Sequence, residues 1–317
     1  MLEPTVVSLG VVGAGDESTK ALVERLGRGS VFAQGPVQLA GRAGSGAAEE
    51  WSAMLNDPTL DAVYVGGPTT ERAALAAAVL GAGKAVLCPM PCALNESDIS
   101  LLERASAEGV RAGGSGLLLT PTGLTHTAAA KGALAMVQSG ELGPLLSIYI
   151  AAKTSRVPGV DILDALGYDL FDFILSCTAA DLLRVHCAGG SLFGRTSAAT
   201  GLTADILAMT MRFGDGLIVT AEIAACLPDE GQSRGPEVEI DIVGRDGALR
   251  VEPGRQEVTI CGPGRKVQKR DWHPHPVVSM VEELGAALAS GTTGPWRPAH
   301  GRRVLSAMQA VKASLAG

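Results

Sequence analysis

The chain has 317 residues, of which 46% are hydrophobic but only 3% aromatic, and this composition predicts two α/β domains with aliphatic cores. A formal net charge of -7 argues against the basic surface with which nucleic-acid-binding proteins hold phosphates. No stretch reaches the length of a membrane span and the N-terminus has no basic, apolar leader. We therefore expect no nucleic-acid or membrane partner and a cytoplasmic location.

The first predicted elements are a strand, a glycine turn and a helix. "VVSLGVV", residues 6–12, is a β-rich apolar run, and "GAGDES" separates it from the helical pattern "TKALVERLGR". This order is typical of a dinucleotide-binding fold, with Gly13 and Gly15 on either side of Ala14 as the first glycines and Ser18 as the third. Glycine turns after strands are common, so this motif needs the support of its context.

The second predicted strand, 37–40, bears on which nucleotide would bind. An NAD site normally places an acidic residue after this strand to bind the ribose hydroxyls. Here Gly41 and Arg42 follow instead. An arginine without a carboxylate fits a 2'-phosphate, which favours NADP over NAD. The alternative, that Arg42 is only a solvated loop residue, stays open.

Two further βα units follow. "LDAVYVGGPTT", residues 60–70, is a buried strand ending in a turn at Gly67, Pro68 and Thr69, and an alanine-rich helix comes next. "AVLC" is the fourth strand, and Asn95 is the predicted N-cap of the helix after it. Repeated βα units predict a parallel sheet. The turn after the fourth strand, "CPMP", holds Met90 where a ligand-facing charge is expected.

The cysteines are scattered through apolar stretches and are interpreted as free buried thiols. They are Cys88, Cys92, Cys177, Cys187, Cys226 and Cys261. Cys88 and Cys92 form a C-x-x-x-C, but no second pair has the spacing of metal ligands, so we expect no metal site. The His-x-His of "DWHPHP", residues 271–276, is interpreted as a linker because each histidine precedes a proline.

The stretch "LDAVYVGGPTTERAALAAAVLGAGKAVLCPMP" resembles the Gfo/Idh/MocA oxidoreductases, which include glucose-fructose oxidoreductase and inositol dehydrogenase. Their pattern runs from a strand ending in Thr-Pro-Asn to Ala-Gly-Lys-His-Val and Glu-Lys-Pro. "VQSGELGPLLSIYI", residues 137–150, resembles the junction into their second domain. "LGYDLFDFIL", "FGDGLIVTAEI" and "VEIDIVGRDGALRVEP" resemble their later landmarks, so the likeness covers essentially the whole chain.

The resemblance implies a Rossmann NAD(P)-binding domain over residues 1–120 and an α+β domain over 121–317. The second domain would hold an open, mostly antiparallel sheet, with its last helices packing back toward the first. It also implies hydride transfer between a nicotinamide and a sugar, polyol or other carbonyl compound. Members of the family usually form dimers or tetramers through that sheet.

The family's catalytic turn has lost its charges in this chain. The lysine of Glu-Lys-Pro falls on Met90 and the glutamate on Pro89, whereas the proline is kept as Pro91. A thioether is apolar and at best a weak acceptor, so Met90 cannot protonate a carbonyl oxygen.

The family's second catalytic motif has changed as well. Its Asp-x-x-x-His pair falls on Ala165 and Asp169, and only Asp172, the second acid, stands as in the family. On the cofactor side, Thr69 replaces the usual asparagine and Arg72 the usual histidine. Three explanations stay open: another proton donor in the second domain, a changed reaction such as elimination or isomerisation, or a protein that binds without turnover.

The replacement candidates lie in the second domain. Lys153 follows its first strand, where the chain should return toward the nicotinamide, although a solvent-facing lysine is the alternative. Asp169 occupies the place of the histidine, and Tyr168 precedes it on a helical segment. Asp161, Asp164, Tyr168 and Asp172 fall at helical spacing on one face, which either lines a cleft or is the wet side of a helix.

Overall fold

The structure is a computed structural model. It describes residues 7–13, 19, 22–24, 37–43, 48–155, 161–191, 204–227, 236–255, 257–262, 265–270, 276–291 and 298–316. Only the backbone is described at 37–43, 48–50, 265–270, 277–278, 298 and 316. The predicted linker histidines of "DWHPHP" lie outside the described residues.

The chain forms two compact units, one comprising residues 1–126 and 274–302 and the other 127–273 and 303–317. The first unit contains a five-stranded parallel sheet in the order β2-β1-β3-β4-β5. Its strands are β1 (Val7–Val12), β2 (Val37–Ala43), β3 (Ala62–Val65), β4 (Ala85–Leu87) and β5 (Leu118–Leu119). Its helices are α1 (Ala48–Asn56), α2 (Thr69–Gly81), α3 (Glu96–Arg111) and α6 (Pro276–Ser290). The predicted Rossmann-type fold is confirmed.

Both faces of this sheet are covered, because successive strand residues point to opposite sides. One core contains Leu9, Tyr64 and Leu87 together with Val281 and Leu284 of α6. The other contains side chains from the alternate strand positions with side chains of α1, α2 and α3: Val63, Val65, Val86, Met54, Val79 and Leu102. The sheet is therefore doubly wound, which exposes its carboxyl edge to ligands.

Strand β2 is longer than predicted. It runs to Ala43, so that Arg42 pairs with Val11 inside the strand instead of following it. The parallel pairing with β1 is irregular between Leu9 and Gly10 but continues beyond it. Gly41 therefore does not end β2. The side chain of Arg42 lies outside what the structure describes.

Helix α3 begins as predicted at Asn95, whose side chain accepts a hydrogen bond from the amide of Asp98 at 2.9 Å. Arg302 fastens the first turns of the last helix, α7 (Pro298–Ala316), to this helix. It donates to Glu96 at 2.7 Å and to both carboxylate oxygens of Glu103 at 2.9 and 2.8 Å. The hydrogen bond from Arg302 lowers the pKa of Glu103.

The second unit contains an eight-stranded sheet in the order β13-β12-β11-β10-β6-β9-β8-β7. Its strands are β6 (Leu145–Ser155), β7 (Leu182–Gly190), β8 (Ile206–Phe213), β9 (Ile218–Leu227), β10 (Glu237–Gly244), β11 (Ala248–Glu252), β12 (Glu257–Gly262) and β13 (Arg265–Arg270). Strands β6 and β9 run parallel and the other pairs antiparallel. The predicted mostly antiparallel sheet is confirmed.

Helices α4 (Ala128–Ser139) and α5 (Ile162–Cys177) belong to the second unit. Helix α5 packs against β6 and β9, where Ile148, Ile150 and Ile223 are fully buried. The alternate residues of these strands lie on the other face, which carries the exposed side chains Tyr149 of β6, Ile218 of β9 and Val243 of the neighbouring β10. We call this the open face of the sheet.

The last helix, α7 (Pro298–Ala316), continues from the first unit into the second between Arg302 and Arg303. Arg303 closes the carboxyl end of α5. It donates to the carbonyl oxygens of Leu175, Thr178 and Ala180 at 3.2, 2.9 and 2.8 Å. Leu175 lies in the last turn of α5, Thr178 is its C-cap and Ala180 follows it, so Arg303 acts as a C-terminal cap.

Among the helices of the described ranges, none has both the length and the apolar character that spanning a membrane requires.

Candidate cofactor site and its catalytic positions

The parallel sheet reverses its strand order between β1 and β3, since β2 lies on one side of β1 and β3 to β5 follow on the other. In open α/β sheets, ligands bind outside the carboxyl ends of the strands at such a switch point. Gly13 follows β1 there, and Gly66 and Gly67 follow β3. These three glycines bound the first candidate site.

At this point backbone meets backbone. Gly13 and Gly67 have φ angles of 79° and 81°, in the left-handed region that favours glycine. A β-carbon at Gly13 would lie 2.5 Å from the carbonyl carbon of Gly66 and 2.7 Å from the amide nitrogen of Gly67. The amide of Gly66 in turn donates to Val12 at 2.9 Å. The switch point therefore has no room for a side chain at residue 13.

This arrangement fits the pyrophosphate of a dinucleotide, which must approach bare backbone and amide donors. Gly13 and Gly67 provide the bare backbone. Helix α2 begins at Thr69, after the exposed Pro68, and its N-terminal amides lie at the same edge of the sheet. The predicted cofactor residues Ala14 and Gly15 lie outside the described residues.

A guanidinium joins this turn to the next one. Arg72, in the first turn of α2, donates from Nε to the carbonyl of Gly67 at 3.0 Å and from Nη1 to the carbonyl of Pro89 at 3.1 Å. Gly67 belongs to the turn after β3 and Pro89 to the turn after β4. One half-buried side chain thus bridges two adjacent turns at the carboxyl edge.

The turn after β4 is held mainly by backbone hydrogen bonds. Cys88 and Met90 donate from their amides to the carbonyls of Leu119 and Pro121 at 2.8 and 2.9 Å. The Met90–Pro91 peptide bond is cis. The shape of the turn is fixed, and the half-buried Met90 adds neither a charge nor a proton donor.

The thiols of this turn are buried. Cys88 and Cys92 are 0% and 1% exposed and pack in the core under α2 and α3. The neighbouring Cys88 thiol and burial raise the pKa of Cys92 well above its usual value. The Cys92 thiol is therefore a poor nucleophile, and the burial of both residues indicates that they serve packing.

Two of the predicted catalytic residues lie on α5, whose N-cap is Asp161. Tyr168 is buried, and its burial together with the charge of Asp164 raises its pKa to about 12. Asp164 itself is held by Lys312 at 3.0 Å. Asp169 is half-buried beside Tyr168. The predicted polar stripe is thus not simply the wet side of a helix, because its tyrosine is enclosed.

Lys153 lies inside β6 and does not follow it as predicted, because the strand continues to Ser155 through pairing with β9 and β10. It lies 3.9 Å from Glu222, and both side chains are more than a third exposed. Residues of a strand alternate between faces, so Lys153 lies on the open face, away from Ile150 and Ala152. Helix α5 covers the opposite side of β6. The structure therefore places Tyr168 and Asp169 on the helix that covers one side of the sheet and Lys153 on the other side.

The family comparison decides the class of the first unit. Residues 8–112 match the oxidoreductase family GFO_IDH_MocA, described as having an NAD-binding Rossmann fold. This Rossmann domain belongs to the Gfo/Idh/MocA family. The resemblance predicted from the sequence is confirmed, and no curated protein matches the chain.

Solved structures of similar fold match almost the whole chain. UDP-N-acetylglucosamine 3-dehydrogenase GnnA from Acidithiobacillus ferrooxidans has a TM-score of 0.75 at 20% identity, covering 97% of both chains. An oxidoreductase domain protein from Kribbella flavida has 0.78 at 17% identity, covering 98% of this chain and 97% of its own. Levoglucosan dehydrogenase in complex with NADH and levoglucosan has 0.76 at 14% identity, covering 98% of both. At these identities the likeness shows the fold.

The role of Arg72 was not predicted from the sequence, where it stands out only as an arginine in place of the family's histidine. The signal that could have revealed the bridge is its position, five residues after Gly67 in the first helical turn. In the described part of the chain no cluster of three His, Cys, Asp or Glu side chains could hold a metal ion.

Proposed function

We propose that the protein is an NAD(P)-dependent oxidoreductase acting on a small sugar-like, polyol or carbonyl substrate through an atypical proton donor. The observation that supports it most is the side-chain-free contact between Gly13 and Gly66–Gly67 at the switch point of the sheet. Gly67, Pro68, Thr69 and Met90 lie at the same edge. The bound nicotinamide would supply or accept the hydride.

Tyr168 is the proposed proton donor and Asp169 its proposed partner in contacting substrate. A phenol whose pKa lies near 12 keeps its proton throughout the neutral range, so it can donate to a developing alkoxide. Asp169 follows Tyr168 within the same helix and occupies the family's histidine position. The exposed pairing of Lys153 with Glu222 supports a surface ion pair for this third candidate.

The cofactor test is calorimetric titration with the oxidised and reduced forms of NAD and NADP. We expect binding, with NADP favoured through Arg42. Arg42→Ala should therefore weaken the binding of NADPH more than the binding of NADH. Nicotinamide absorbance is then followed with a panel of sugars, polyols and ketones. The panel starts from sugars because two of the similar structures are dehydrogenases named for sugar substrates. Absence of binding by all four nucleotides would remove the proposal.

A second candidate is a catalytically silent nucleotide-binding subunit, which the apolar Met90 and the methyl group of Ala165 favour. A third candidate is a non-redox reaction, such as an elimination or isomerisation. The double substitution Met90→Lys with Asp169→His separates these ideas. Activity that appears only in the double variant supports a silent protein, whereas native turnover that the double variant loses supports the atypical donor.

We further propose a homodimer or homotetramer formed through the open face. Tyr149, Ile218 and Val243 are large apolar side chains exposed there on neighbouring strands. Tyr149→Glu should lower the oligomer mass measured by light scattering after gel filtration. Val110→Glu, at an exposed valine of α3, is the control. An unchanged mass in both variants contradicts this interface.

A further inference from the structure

Arg72 connects two parts of the backbone that lie far apart in sequence. Its two described hydrogen bonds reach a carbonyl five residues before it and another seventeen residues after it. Guanidinium donors lie in a rigid planar fork, so satisfying both acceptors fixes their separation. Hydrogen bonds from a charged donor are also stronger than neutral ones. The turns after β3 and β4 are therefore held at a set distance.

The same side chain places a fixed positive charge at this edge. Pro89, which accepts from Nη1, directly precedes Met90. The charge of Arg72 also acts on the Cys92 thiol, two residues beyond Met90. A cation therefore lies beside the turn whose own residue 90 carries none.

The half of the cofactor that faces this charge follows from the strand order. The adenosine ribose of a dinucleotide is bound near the end of β2, and the molecule crosses the crevice at the switch point. Its nicotinamide half then lies on the side of β3 and β4, where Arg72 is. The oxidised nicotinamide ring is positively charged and the reduced ring is neutral, so a nearby cation disfavours the oxidised form.

We propose that Arg72 is a positioning residue that locks the two turns together and biases the site toward the reduced cofactor. This inference rests on the proposed function, because it requires that the edge binds a nicotinamide nucleotide. Arg72, which stays protonated, would thus supply the positive charge that Met90 does not provide.

The test compares the dissociation constants of reduced and oxidised cofactor, by calorimetry, for native protein and matched variants. Arg72→Gln removes the charge, and we expect the preference for the reduced form to fall roughly threefold or more. Arg72→Lys keeps the charge but loses the fork, so both affinities should fall while their ratio stays. Arg104→Gln, at an exposed arginine of α3, should change neither.

The outcomes separate the two levels of the proposal. Native protein that binds no nicotinamide nucleotide overturns the proposed function and this inference with it. Native binding with the same ratio in Arg72→Gln overturns the role of Arg72 alone. If Arg72→Gln does not fold by thermal melting, Arg72→His replaces it, measured on either side of the usual histidine pKa of about 6.5. A ratio that does not change with pH then contradicts the inference.

Discussion

The two units differ in what their candidate sites are made of. At the carboxyl edge of the parallel sheet, the determining contacts are made with backbone atoms: Gly13 packs against Gly66 and Gly67, and Arg72 donates to two carbonyls. On α5 the candidates are side chains, Tyr168 and Asp169, whose behaviour depends on burial and neighbouring charges. Backbone contacts tolerate changes in the surrounding sequence, whereas a proton-transfer residue is lost by a single substitution. A cofactor crevice can therefore persist while the chemistry beside it changes.

The largest effect is expected at Gly13. Gly13→Ala places a β-carbon 2.5 Å from backbone at a φ of 79°, so we expect measurable cofactor binding to disappear. Gly113→Ala is the control, because Gly113 has a φ of 89° but open space around it. In both variants the strained φ should lower the free energy of unfolding by about 1–3 kcal/mol. Only Gly13→Ala should also lose cofactor binding, and overpacking should lower its free energy of unfolding by a further ~1–3 kcal/mol. Equal behaviour in calorimetry and denaturation would show that backbone contact is not what defines the site.

The next effect tests the side-chain half of the comparison. Tyr168→Phe removes only the phenol oxygen, and we expect kcat to fall by about 10²- to 10⁴-fold with unchanged cofactor affinity. Tyr149→Phe, at the exposed tyrosine of β6, should leave both values unchanged. Steady-state kinetics on whichever substrate the panel reveals measures this. A fully active Tyr168→Phe would assign proton transfer to another group.

Tyr168 also predicts a pH dependence of stability. Burial raises its pKa from 10 to about 12, so the unfolded chain loses this proton first and the folded state binds more protons between these values. The free energy of unfolding should therefore decrease as pH rises through that window, by at most about 2–3 kcal/mol from this group. Urea denaturation of native protein and Tyr168→Phe checks it. Identical slopes in the two proteins would mean that the phenol ionises equally well when folded.

The smallest effects separate the neighbouring arginines of α7. Arg303→Met removes the donor of three carbonyl oxygens at and just after the end of α5. We expect the free energy of unfolding to fall by about 2–3 kcal/mol. Arg302→Met removes exposed ion pairs with Glu96 and Glu103, so its effect should be small and should shrink further in high salt. Denaturation at low and high salt measures both. The reverse order would mean that exposed charges stabilise the chain more than helix capping does.

Sequence reasoning reached most of the fold because the βα units carry local signals. The strand before Gly13, the turn at Gly67 and the Asn95 cap each depend on neighbours along the chain. The predicted end of β2 came too early, because pairing with β1 continues through Gly41 and Arg42. A glycine weakens a strand but does not end one that a neighbouring strand supports.

The site was harder to predict because its contacts join distant residues. The bridge of Arg72 to Pro89 spans seventeen positions, and nothing in the local pattern fixes where that side chain points. Tyr168 was placed on a polar stripe, yet α5 is buried on several sides, so that helical spacing alone could not show which polar residue is enclosed. The face on which Lys153 lies is easier to predict. Alternation along "SIYIAAK" already separates it from Ile148 and Ile150.

The passage of α7 from one unit to the other within a single helix limits how the chain can change in length. Each residue of an α-helix advances by about 100°, so the directions of Arg302 and Arg303 are set by their order alone. One residue inserted after Arg302 would change the angle between the directions of Arg302 and Arg303 by about 100°, so one helix could no longer direct Arg302 to Glu103 and Arg303 to its three carbonyls as it does now. Loops absorb insertions easily, but this connection should tolerate substitutions far better than insertions or deletions.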